Sequence, residues 1–104
     1  MAGKLSNTEE FNITAERADY ANGKYFFNIT LNIKNSKISG IEFKTDNYDF
    51  LKDMCHELEK KIKGLEREEA LKITVSDFYP HKDEGREYAE ELLLTFIEAL
   101  SYWE

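Results

Sequence analysis

The stretch YFFNITLNI, residues 25–33, alternates apolar and polar side chains from Phe27 to Ile33. Successive side chains of a strand point to opposite faces, so a period of two is typical of a strand with one face buried. The stretch therefore predicts a strand with one apolar and one mainly polar face. The apolar face consists of Tyr25, Phe27, Ile29, Leu31 and Ile33.

Two further strands are predicted on either side of this one. Residues Glu10 to Asp19 alternate in the same way, and Ile38 to Thr45 carries apolar residues on one side. The connections Tyr20-Ala21-Asn22-Gly23 and Asn35-Ser36-Lys37 are short and contain residues that adopt tight turns. Three successive strands joined by short turns form an antiparallel meander. The side chains expected to face the core are Phe11, Ile13, Ala15, Ile41 and Phe43.

After Asp46 the apolar period changes from two residues to three or four, which indicates helices. Asp46 or Asn47 can cap the start of the first helix, and Gly64 lies where a glycine would end it. Its apolar stripe consists of Leu51, Met54, Leu58, Ile62 and Leu65.

Two more helices are predicted in the C-terminal part. Residues Glu66 to Lys72 form a short helix, Thr74 to Glu84 are irregular around Pro80, and Arg86 to Trp103 form a long helix. The short helix is expected to touch the sheet through Ala70, Leu71 and Ile73. The apolar face of the long helix consists of Tyr88, Ala89, Leu92, Leu93, Phe96, Ile97, Leu100 and Trp103. A three-stranded antiparallel meander followed by helices packed on one face is an α+β fold of two layers.

Length and charge limit the classes of function. The 104 residues, 12.2 kDa in mass, suffice for one domain with a single core, in which residues 1–9 are expected to be a flexible N-terminal segment. With 14 basic against 21 acidic residues the net charge is −7, which argues against nucleic acid as a partner. No apolar run predicts a signal peptide or a membrane span. A single cysteine excludes an internal disulfide and favours a cytoplasmic location.

Few residues suggest chemistry. Cys55 lies beside the apolar stripe of the first helix and is expected to be buried and inert, and His56 is expected to be a solvated surface residue. The charge run at residues 66–69 is expected to be an exposed helix face. Pro80-His81-Lys82-Asp83-Glu84 gathers an imidazole and two carboxylates, which a divalent metal could use or which the dipole of the next helix could favour. No sequence motif indicates an enzyme class.

Three segments keep the spacing of a known family. The strand end Phe43-Lys44-Thr45, the helix end Lys63-Gly64 and the stretch from Glu68 to Ile73 resemble NifU/IscU-type iron–sulfur cluster assembly scaffolds. Members of that family have a Phe-Lys-Thr strand end, a Lys-Gly helix end and an Asp-Glu-Ala helix, and the register from Phe43 to Ala70 agrees without a gap. The resemblance implies the fold of that family, in which three strands precede the helices.

The resemblance also implies where a ligand site would lie. In the family, three cysteines, helped by an aspartate and a histidine, hold the nascent cluster or a zinc ion. Here the first cysteine falls at Asn22 or Gly23, with Lys24 near the aspartate position. The second falls at Tyr48, and the third falls near Gly85, with Glu84 in place of the histidine. The former ligand pole then comprises Asn22, Gly23, Lys24, Asp46, Tyr48, His81, Glu84 and Gly85.

Three hypotheses about function remain open at this point. The first is a non-catalytic relative of the cluster scaffolds that has lost the ligands, holds no cofactor and binds a protein partner. The second is a metal-binding scaffold with oxygen and nitrogen ligands. Its ligands would be Asp46, Asp49, His81, Asp83 and Glu84. The third is a small-molecule binder or an enzyme that uses the former ligand pole as a pocket.

Overall fold

The computed structural model describes residues 10–18, 26–45 and 48–103, and for residues 48–50 it describes the backbone only. The strands are β1 (Glu10–Ala18), β2 (Phe26–Lys34) and β3 (Lys37–Thr45). The helices are α1 (Tyr48–Ile62), α2 (Arg67–Ala70), α3 (Val75–Phe78) and α4 (Gly85–Ser101). The three strands form one antiparallel sheet in the order β1-β2-β3. The prediction of an α+β fold with a three-stranded meander followed by helices is confirmed.

The core lies between the sheet and the helices. The odd-numbered side chains of β2 from Phe27 to Ile33 are buried, as the alternation predicts. Helix α4 packs on β1 and β2, and α1 packs on β3. The other face of the sheet is mainly polar and partly exposed, and on it the Thr14 and Thr30 hydroxyls share a hydrogen bond of 3.1 Å. Among the described residues, no helix is both long enough and apolar enough to cross a membrane.

The turn between β2 and β3 consists of two residues with left-handed backbone. Asn35 has φ 55° and Ser36 has φ 66°, and Lys34 pairs with Lys37 directly across the turn. Two successive positive φ angles are typical of the type I′ turn, whose twist matches that of an antiparallel pair. Asparagine adopts this conformation readily, whereas serine does so at a conformational cost.

A β-bulge in β3 changes which side chains face the core. Asn32 pairs with Gly40 and Ile33 pairs with Ile38, so Ser39 is an extra residue in the ladder. The Ser39 hydroxyl donates a hydrogen bond of 3.0 Å to the Asn32 carbonyl. Strict alternation from Ile41 would turn Ile38 outward, yet both isoleucines are buried because of the bulge. Ile41 faces the core as predicted.

The end of α1 is hydrogen-bonded to the beginning of β3. Gly64 has φ 90°, as expected for a glycine that ends a helix. Its N–H donates to the Ile38 carbonyl at 2.7 Å, and the Ile38 N–H donates to the Leu65 carbonyl at 2.9 Å. These two bonds fix the chain that leaves α1 against the sheet.

Helix α2 differs in detail from the prediction. It spans Arg67–Ala70 rather than residues 66–72, and Leu71, which the prediction placed against the sheet, is exposed. Arg67 is half-buried, and its Nε donates at 3.3 Å to the Leu100 carbonyl in the last turn of α4. The charged residues 66–69 were predicted to form an exposed helix face, and Arg67 departs from this because it hydrogen-bonds a carbonyl at the end of α4.

The segment predicted to be irregular, residues 74–84, contains the short helix α3. Thr74 and Asp77 form a capping box at its start: the Thr74 N–H donates to Asp77 Oδ2 at 2.8 Å, and the Thr74 side chain accepts from the backbone of Asp77. Val75 and Phe78, the first and last residues of this helix, are buried. The segment therefore contributes to the core instead of crossing the surface as a loop.

Candidate functional site

The proposed ligand pole is described only in part. Asn22, Gly23, Lys24 and Asp46 lie outside the described residues, and Tyr48 is described as the first backbone position of α1. The convergence of these residues with Gly85 therefore stays a prediction. The turn predicted at residues 20–23 and the cap predicted at residues 46–47 also lie outside the described part.

Gly85, where the resemblance puts the third cysteine, is the buried first residue of α4. A Cβ atom added there would overlap the Tyr79 hydroxyl oxygen and would lie 2.8 Å from Tyr79 Cζ. It would also lie 3.2 Å from an Asp83 carboxylate oxygen. The space that a side chain would need is thus occupied by Tyr79, and no ligand side chain fits at this position unless Tyr79 moves.

Hydrogen bonds hold Tyr79 over Gly85. The Tyr79 hydroxyl donates to Asp83 Oδ1 at 2.6 Å, and the Gly85 N–H donates to the same oxygen at 3.0 Å. The bond from Tyr79 is the main cause that lowers the pKa of Asp83, and the same bond raises the pKa of Tyr79. Asp83 was a candidate metal ligand, and here one of its oxygens is used by these two donors.

His81 and Glu84 are both exposed, and no described partner joins them into a metal site. The His81 ring meets the Tyr79 ring edge to face, with 5.2 Å between centroids and 82° between planes. Glu84 immediately precedes α4, and its side chain makes no capping hydrogen bond. Within residues 10–18, 26–45 and 48–103 no group of three His, Cys, Asp or Glu side chains is placed to hold a metal ion.

The Cys55 side chain is fully buried, as predicted, and His56 beside it is exposed. Burial raises the pKa of the Cys55 thiol to about 12. Iron–sulfur clusters and most structural zinc sites are held by several thiolates, which a single buried thiol cannot supply. With Cys55 as its single cysteine, the donor set of this chain does not fit an iron–sulfur cluster.

A surface cleft, which the sequence did not predict, lies between α1 and α3. Its volume is about 420 Å³, within the usual range for ligand sites. Its floor includes the buried side chains of Met54 and Phe78, and its rim is mostly charged or polar. The lining residues are Asp53, Met54, Glu57, Lys61, Ser76, Asp77, Phe78, Tyr79, Pro80 and His81. Tyr79 and His81 line this cleft and also belong to the segment that leads to Gly85.

Two carboxylates of the cleft are held in place by neighbours. Asp77 accepts the Thr74 N–H and the Thr74 hydroxyl through Oδ2, and these bonds lower its pKa. Glu57 accepts a hydrogen bond from Lys60, with 2.8 Å between the charged atoms, and this bond lowers the pKa of Glu57. Both groups are therefore anionic at neutral pH.

The sequence was also compared with known proteins. No protein-family model and no curated protein matches this chain.

Proposed function

We propose that this chain is a relative of the NifU/IscU-type scaffolds that keeps their fold, has lost their cluster chemistry and acts by binding a protein partner. The observation that carries the proposal is the position of Tyr79. Its ring and hydroxyl take the space over Gly85 where the resemblance puts a cysteine ligand. A site filled in this way favours a binding role over cluster assembly.

Two further features support the proposal. The order of elements, three antiparallel strands followed by helices and a long last helix, is the order that the resemblance implies. The single thiol, Cys55, is buried in the core, and burial raises its pKa to about 12. A chain with one buried free thiol also suits a reducing compartment, so we place the proposed partner in the cytoplasm.

Metal loading separates this function from a scaffold or metal carrier. Protein purified without an affinity tag and incubated anaerobically with ferrous iron and sulfide, or with zinc, is desalted and analysed for metal and visible absorbance. We expect a colourless protein with far less than one metal ion per chain. About one tightly held ion per chain would overturn the proposal and favour the oxygen and nitrogen ligands of the second hypothesis.

Partner binding is tested with a photo-crosslinking amino acid. It is placed at Ser76, which lines the cleft and is exposed, and in a matched control at Glu42, which is exposed on the outer face of the sheet. After irradiation in native lysate, we expect a discrete crosslinked protein from the Ser76 position and none from the Glu42 position. Identical patterns from both positions would contradict a specific partner at the cleft.

A further inference from the structure

The cleft between α1 and α3 carries an excess of negative charge over an apolar floor. Its lining has three carboxylates and one ammonium group, and Lys60 pairs with one of the carboxylates, Glu57, at 2.8 Å, which leaves one negative charge in excess. The floor is apolar, and its Met54 and Phe78 side chains are only 5% and 2% exposed. The groups that provide the charge are Asp53, Glu57, Asp77 and Lys61.

We propose that this cleft binds a cationic side chain, arginine before lysine, from a segment of the partner protein, with an apolar neighbour of that residue packed on the floor. The inference rests on the proposed function and adds the chemistry of the partner. Negative charge at the rim, on a chain of net charge −7, attracts a cation and repels phosphate or acidic peptides.

The geometry favours a side chain over a free metal ion. The described residues hold no group of three metal-ligating side chains, whereas the cleft has a volume of about 420 Å³ and carboxylates in its lining. Arginine and lysine bury their stems on apolar surface and keep the charged end at the rim. Tyr79 also lines the cleft, and aromatic rings favour contact with a guanidinium.

The Asp77 carboxylate in the lining of the cleft is held by two hydrogen bonds from Thr74. Both hydrogen bonds from Thr74 end on Asp77 Oδ2, so Oδ1 is the oxygen for a ligand to use. Because α3 itself depends on this capping box, Asp77 is kept unchanged in the test. Asp53 and Glu57 are on the surface of α1 and can be neutralised without altering a cap.

The test uses three short peptides as probes and two-dimensional amide NMR as the readout. The peptides are acetyl-Leu-Arg-Leu-amide, its citrulline isostere, which has the same shape without the charge, and acetyl-Leu-Glu-Leu-amide. We expect the arginine peptide to shift amides of α1, α3 and residues 79–81, and to bind several-fold more tightly than the citrulline peptide. The glutamate peptide is expected to cause no saturable shift.

Paired variants check that the carboxylates provide the binding. The double variant Asp53→Asn with Glu57→Gln should weaken arginine-peptide binding by about tenfold, the effect of two exposed ion pairs. The matched control Glu59→Gln with Glu68→Gln removes the same charge outside the lining of the cleft and should stay within about twofold. Circular dichroism of both variants establishes that they are folded.

Three results would overturn the cationic occupant: equal binding of the arginine and citrulline peptides, unchanged affinity in the Asp53 and Glu57 variant, or shifts that map away from the cleft. None of them bears on metal content. Crosslinking from Ser76 without binding of the arginine peptide would therefore reject the cationic side chain as the occupant but would still support partner binding. Stoichiometric metal loading would reject the proposed function, and the peptide titration could still be interpreted.

Discussion

The substitution Gly85→Ala tests whether Tyr79 fills the space at the start of α4. Helix propensity alone predicts that alanine stabilises a helix relative to glycine by up to about 1 kcal/mol. The structure predicts the opposite sign. The new Cβ would overlap the Tyr79 hydroxyl oxygen and approach Tyr79 Cζ to 2.8 Å, so the ring has to swing away from Asp83 and give up its hydrogen bond.

Forcing an extra methyl group into packed structure costs about 1–3 kcal/mol. Set against a gain in helix propensity of up to about 1 kcal/mol, this overpacking leaves Gly85→Ala destabilised by up to about 2 kcal/mol. In a chain of 104 residues, each kcal/mol lowers the melting temperature by about 4–8 °C. The shift is therefore measurable by urea unfolding and by calorimetry.

A second background isolates the contact with Tyr79. In Tyr79→Leu protein the hydroxyl and the ring edge are gone, so adding Gly85→Ala should be neutral or stabilising there. The difference between the two backgrounds is the coupling free energy between the two positions. An alanine that stabilises the wild-type chain, or that costs the same in both backgrounds, would refute the filled site and with it the main support for the proposed function.

Three other measurements check separate parts of the structure. Ser36→Gly should raise the free energy of unfolding by about 0.5–1 kcal/mol, because glycine adopts φ 66° without the cost that serine bears, and a lower urea midpoint would contradict the type I′ turn. Cys55 should react with a thiol reagent far more slowly in native protein than in denaturant, because it is buried and its pKa is raised to about 12, and equal rates would show that it is exposed. The lowered pKa of Asp77 means that its contribution to stability is present above the ordinary aspartate value of about 3.9 and is lost as the pH falls through the lower folded-state value. In Asp77→Asn protein, the free energy of unfolding should therefore fall less steeply as the pH drops below about 4. An unchanged pH dependence would show that the capping-box carboxylate does not contribute to the loss of stability in acid.

Much of the fold could be predicted because its signals are local. The alternation in β2 fixed its buried face, Gly64 marked the end of α1, and the helical period of α4 identified the buried residues Ala89 and Leu92. Helix α3 was not predicted, although Thr74 and Asp77 have the capping-box spacing, because four residues are too few to show a helical period and Pro80 follows closely.

The site could not be predicted because it depends on residues distant in sequence. The cleft brings α1 against α3, and no periodicity reports that approach. The contact of Tyr79 with Gly85 could not be predicted from residue spacing either. Spacing predicts which residues share a face of a helix or strand, and residues 79–84 are in neither. The resemblance led to Gly85 as a position of interest, but only the geometry shows what occupies its surroundings.

The bulge at Ser39 lets β3 carry one residue more than its partner strand without turning an isoleucine outward. Ile38 pairs with Ile33 and Ile41 pairs with Leu31, so both face the core although they are three residues apart. Deleting Ser39 would leave the two isoleucines two residues apart, which is the spacing of a regular strand, and both would still face the core. A one-residue deletion between Ile41 and Phe43 would instead turn Phe43 to the outer face. Relatives of this chain are therefore expected to tolerate a deletion at position 39 and to exclude one further along β3.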